Sequence, residues 1–173
     1  VATVSFTTAG RVEVGGKVVL VMPEESGAQH GWRFTDGATS STETSGTGNV
    51  PAITFTTPSS NTPTAGSVGY ALATRTLVLT IGAHDLAQSA SHVFTITNVL
   101  TPSSVVGVNY AHAFTRDSQD RNVDTTTSMA TDQVVSGTLT SATFATATDT
   151  PGYESVATVS FTTAGRVEVG GKV

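Results

Sequence analysis

The chain has 173 residues, a net charge of −5, 12% charged residues and no cysteine. With no basic stripe, nucleic acid is excluded as a partner. Without thiols there are neither disulfides nor thiolate metal centres, and no run of about 18 apolar residues would cross a bilayer as a helix. Thr (33) and Ser (18) take the place of the missing charges, giving a neutral, hydroxyl-rich surface that suits permanent side-by-side association or a glycan coat.

Taken in chain order, the apolar period is two rather than 3.6, which argues strands. Ala2, Val4 and Phe6 alternate with Thr3, Ser5 and Thr7. Gly15-Gly16 reads as a two-residue hairpin between Val14 and Lys17. Residues 17–22 are almost continuously apolar, as in a central strand covered on both faces, and Pro23 ends them. Residues 39–49 and 58–64 read as Ser/Thr-rich loops. Ile53 and Phe55 form another alternating pair, followed by Leu77, Leu79 and Ile81. Residues 85–91 would hold one or two helical turns. Phe94 and Ile96 alternate with Thr95 and Thr97, and Val106, Val108, Tyr110, His112 and Phe114 share one face of a strand. In residues 134–146 the alternation slips, because Leu139 and Phe144 have opposite parity; a bulge near Ser141 reconciles them. Residues 148–155, with Pro151-Gly152, read as a junction. About nine short strands predict an all-β fold: an antiparallel β-sandwich, immunoglobulin-like, with a jelly roll as the alternative.

The chain also repeats itself. Residues 156–173, VATVSFTTAGRVEVGGKV, are identical to residues 1–18 at an offset of 155. Self-similarity at a fixed period marks a tandem array. The expected organisation is one sandwich repeat at 1–155, with 156–173 as the first strands of the next. Three accounts fit the overlap. Each copy is the opening strand pair of its own domain; or the segment after Gly152 leaves its sandwich and completes the next by strand addition; or the duplication is engineered. Strand addition makes Val4, Phe6, Val12 and Val14, with their equivalents Val159, Phe161, Val167 and Val169, the inter-repeat interface. It also pairs strand edges that would otherwise invite aggregation. The partners are then adjacent identical repeats.

The stretches VATVSFTTAGRVEVGGKVVLVMPE and HVFTITNVLTPSSVVG resemble the Thr-rich immunoglobulin-like modules of very long extracellular repeat proteins, including adhesin-like and fibre-forming surface proteins of microbes. The resemblance covers most of one period. It implies an extracellular or cell-surface structural or adhesive module without catalysis. A carbohydrate-binding module array is the second reading.

Little else in the sequence carries chemistry. Asp117, Asp120 and Asp124 supply carboxylates within one short stretch, as a calcium site needs, but the spacing is not that of an EF-hand, and a solvated hairpin is the plainer reading. His30, His84, His92 and His112 form no zinc pattern. His84, Asp85, Ser89 and Ser91 crowd one turn, where a triad needs separate elements and an oxyanion hole. Trp32 reads as a core tryptophan or, if exposed, a sugar-stacking platform. No Asn-x-Ser/Thr acceptor occurs. O-linked sugar has candidate sites at Thr42, Thr44, Thr47, Ser59, Ser60, Thr62 and Thr64. No cofactor other than calcium is implied.

Overall fold

The computed structural model describes residues 1–24, 31–34, 51–165 and 167. The chain groups into two compact units, Val1–Val134 and Val135–Val173. Residues 135–155 thus group with the second copy of the opening sequence in the second unit.

The first unit is an antiparallel β-sandwich. One sheet contains β1 (Ala2–Thr7), β4 (Ile53–Thr57) and β7 (Ser91–Ile96), in the order β1-β7-β4. The other contains β2 (Lys17–Val21), β5 (Thr64–Ala71), β6 (Thr76–Ala83), β9 (Tyr110–Arg116) and β10 (Asn122–Ala130). Its order is β10-β9-β2-β6-β5. A small pair joins β3 (Arg33–Phe34) to β8 (Val99–Leu100). Among the described residues, the second unit contains one hairpin, β11 (Thr140–Thr146) with β12 (Ala157–Thr162).

The alternating residues build the core between the sheets. Val4 meets Phe94 in register across β1 and β7. Val18 and Leu20 from β2, Leu77, Leu79 and Ile81 from β6, and Phe55, Phe94 and Ile96 from the smaller sheet are all buried in one cluster. Phe94 takes Phe6 edge-on at 6.2 Å, an arrangement that ring quadrupoles favour, and packs against a tilted Phe55 at 5.2 Å. Trp32 is buried, which agrees with the core reading and removes the exposed sugar platform. As its apolar run implied, β2 is central, lying between β6 and β9 with Val18, Val19 and Leu20 all buried.

The structure departs from or adds to the sequence reading at several points. The Gly15-Gly16 turn exists, closed by the Gly16 N–H donating to Glu13 O at 2.8 Å with Gly15 at φ 86°. It joins no hairpin, however, because β1 pairs with β7 while β2 lies in the other sheet. A turn signal shows where the chain reverses, not which strand it reverses onto. Residues 85–91 form no helix: Leu86 bridges to Val12, and both are fully buried. The face shared by Tyr110, His112 and Phe114 is the outer one, and Ala111 and Thr115 point inward and are buried. Period two says which residues share a face, not which face meets the core. Val106 and Val108 lie outside that strand, Val106 in an isolated bridge to Val134. Finally, β5 and β10 are strands that the apolar pattern did not announce. Glycines interrupt β5; at Gly82 an added Cβ would lie 2.8 Å from Gly66 Cα, so the β5–β6 contact is backbone against backbone.

Candidate strand-addition site

Among the described residues, one side of β1 has no strand paired to it. β1 ends its three-stranded sheet and β10 ends the five-stranded one. Between them lie two cavities, of about 380 and 320 Å³. Val4, Leu20 and Met129 border both, Trp32 and Phe34 line the first, and Phe6 and Ala113 line the second. One end of this seam is clasped by Asp124. Its Oδ1 accepts the N–H groups of Ala9 and Gly10 at 3.0 and 3.1 Å, and its Oδ2 accepts the Thr115 hydroxyl at 2.7 Å.

Which amides β1 leaves free follows from the ladder. Thr8 continues the β1–β7 register opposite Ala90 and donates its N–H to Ala90 O at 3.1 Å. Hydrogen-bonded pairs alternate along an antiparallel ladder. Ala2, Val4 and Phe6 therefore turn their amides and carbonyls to β7, while Thr3, Ser5 and Thr7 turn theirs to the open side.

The same hexapeptide recurs as β12, with a different partner. Ala147 continues the β11–β12 register and donates its N–H to Val156 O at 2.9 Å. By the same alternation, Val156, Thr158 and Ser160 face β11. These are the counterparts of Val1, Thr3 and Ser5. The second copy is thus held by the edge that the first copy leaves open. β11 carries the expected bulge, with a register shift between Thr140 and Thr143 and Ser141 at φ 52°. Pro151-Gly152 belongs to the connecting hairpin, where the Tyr153 N–H donates to Thr150 O at 3.2 Å.

The expected interface residues separate by environment. Val4 and Val12 are buried, and Phe6 packs against the core. Val14, Val159 and Val167 are exposed, whereas Phe161 is half-buried. Val169 lies outside the described residues. Phe144, which stands opposite Val159 and is 72% exposed, is absent from the interface that the sequence predicts. Its signal is the alternation after Ser141, but periodicity alone names no partner.

The acidic stretch does not converge on one point. Asp117 accepts the N–H groups of Gln119 and Arg121, both at 2.9 Å, and the Arg121 guanidinium at 2.7 Å. The Arg121 N–H first, and then its side chain, hold the Asp117 carboxyl below its ordinary pKa. Asp120 pairs with Lys17 at 2.6 Å, and Asp124 serves the seam. Among the described residues no three His, Cys, Asp or Glu gather as a metal site.

His84 is exposed, and Asp85 is taken by Arg11 and by the Val14 N–H. His112 is exposed and His92 is buried, while His30 lies outside the described residues. Of the sugar candidates, Ser59, Ser60 and Thr64 are exposed and Thr62 donates its hydroxyl to Pro58 O at 2.7 Å. Thr42, Thr44 and Thr47 lie outside the described residues.

No protein-family model matches the chain, and neither does any curated protein or solved structure. Among the described residues no helix is long and apolar enough to cross a membrane.

Proposed function

We propose that this chain is a structural repeat unit of an extracellular protein fibre, built from tandem β-sandwiches whose strands join neighbouring repeats, and that its role is mechanical rather than catalytic. The observation that carries this reading is the unbroken recurrence of eighteen residues at an offset of 155. An ungapped, unsubstituted recurrence of this kind suits a polymer of near-identical units. Three further features support it: the low charge, the hydroxyl-rich surface, and a sheet edge along β1 left unpaired among the described residues. Isolated sandwiches usually blunt such an edge, since open edges recruit other chains. The exposed Ser59, Ser60 and Thr64 are the described positions where O-linked sugar would sit on such a fibre.

Electron microscopy of the native material tests the reading. A filament with an axial repeat on the order of 40–60 Å, the size of one domain of this length, is the expected result. Dispersed particles of single-domain size would overturn it.

A further inference from the structure

We propose that the free edge of β1 is the acceptor for the strand β11 of the preceding repeat, in the register that β11 already keeps with β12. The inference rests on the tandem reading and makes it specific. It also moves the donor strand, from residues 156–173 as the sequence suggested to Thr140–Thr146. Residues 157–162 then act as the acceptor's own first strand, and the completed sheet has the order β11-β1-β7-β4.

Three observations carry it. First, the two pairings of the hexapeptide do not compete. β7 takes the groups of Ala2, Val4 and Phe6, β11 takes those corresponding to Val1, Thr3 and Ser5, and one strand can hold both neighbours at once.

Second, the side chains fall on the right faces. Residues directly opposite each other in a ladder share a face. Phe144 stands opposite Val159 and Thr146 opposite Ala157. Transferred to the first copy, Phe144 stands opposite Val4, whose side chain points into the core.

Third, there is room. Phe144 is 72% exposed and Val159 is 61% exposed in the hairpin, whereas Val4 borders cavities of about 380 and 320 Å³. An apolar cavity of about 150 Å³ already holds a benzene ring. The phenyl ring that β11 leaves in solvent thus has apolar space waiting beside the strand it would join.

The test uses the whole 173-residue chain and a labelled synthetic peptide of residues 138–150, followed by fluorescence anisotropy and by amide hydrogen exchange. Saturable binding is expected, with the amides of Thr3 and Ser5 gaining protection while Ala2 and Val4, already paired to β7, change little. A peptide carrying Phe144→Asp should bind about tenfold more weakly or worse, as expected for losing a buried aromatic ring. Because the substitution is in the peptide, the protein's fold is untouched. Three results would overturn the proposal: no binding, equal binding by the Phe144→Asp peptide, or protection appearing at Thr158 and Ser160 instead of Thr3 and Ser5. Peptide binding in the absence of any filament would leave the pairing standing and sink the fibre reading alone.

Discussion

Val4 and Val159 hold the same place in the same hexapeptide, yet the first is 8% exposed opposite Phe94 and the second 61% exposed opposite Phe144. One strand sequence is therefore seen from both of its edges. Local sequence cannot explain the difference in burial, because it is identical. The neighbours decide it: a sandwich core beside β7 in one case and the β11 hairpin in the other.

This relationship predicts an exchange pattern in the free chain. Within β1 the amides of Val4 and Phe6 should exchange slowly and those of Thr3 and Ser5 quickly. Within β12 the order should invert, with Thr158 and Ser160 slower than Val159 and Phe161. Two-dimensional NMR after transfer to deuterated water reads both strands at once. Matching patterns in the two copies would refute the edge assignment.

Asp124 clasps the seam through the backbone of Ala9 and Gly10 and the hydroxyl of Thr115. Asp124→Ala should lower stability by about 2 kcal/mol, the scale of hydrogen bonds to a charged group. Asp124→Asn, which keeps one acceptor oxygen, should lose less. Urea denaturation of the two variants checks the order.

At the β5–β6 contact the backbones of Gly66 and Gly82 leave no space for a side chain: an added Cβ at Gly82 would lie 2.9 Å from Gly66 N. Gly82→Ala should cost about 1–3 kcal/mol through forced strand separation. Leu79→Ala, in the buried core, should cost about 2–5 kcal/mol through cavity formation. Thermal melts that left either variant unchanged would contradict the packing described.

His92 is fully buried between Ala87 O, 3.4 Å from its Nε2, and the ring of Phe6 at 5.7 Å. Burial lowers its pKa below the ordinary 6.5. The unfolded chain therefore takes up this proton more readily than the folded one, and stability rises with pH across that range. As pH falls below 6.5 the His92 contribution is progressively lost, down to its folded pKa. Asp85 and Asp117 have lowered pKa values and act further into acid, losing their contribution as pH falls through their folded values. They are solvent-screened, so their share is small. Melting temperature measured from roughly pH 7 to 5 should fall in the wild type and fall less in His92→Gln.

Much of the β-sandwich is legible in the amino-acid sequence, because its buried residues recur at period two: Val4 and Phe6, Leu77 to Ile81, Phe94 and Ile96. The bulge at Ser141 is legible for the same reason, since a parity slip has few other remedies. The eighteen-residue recurrence is likewise a property of sequence alone. Tertiary structure decided what period two leaves open. It set the pairing partner of β1, a strand some ninety residues away rather than its sequence neighbour. It turned the alanine face of β9 inward. It made strands of the Gly-interrupted β5 and the Thr-rich β10, whose hydrogen bonds come from neighbours. It also separated the three aspartates among different donors. Above all, it showed which edge of ATVSFT each copy uses, since strand edges are made of backbone groups that every sequence shares, and only the geometry of pairing distinguishes them.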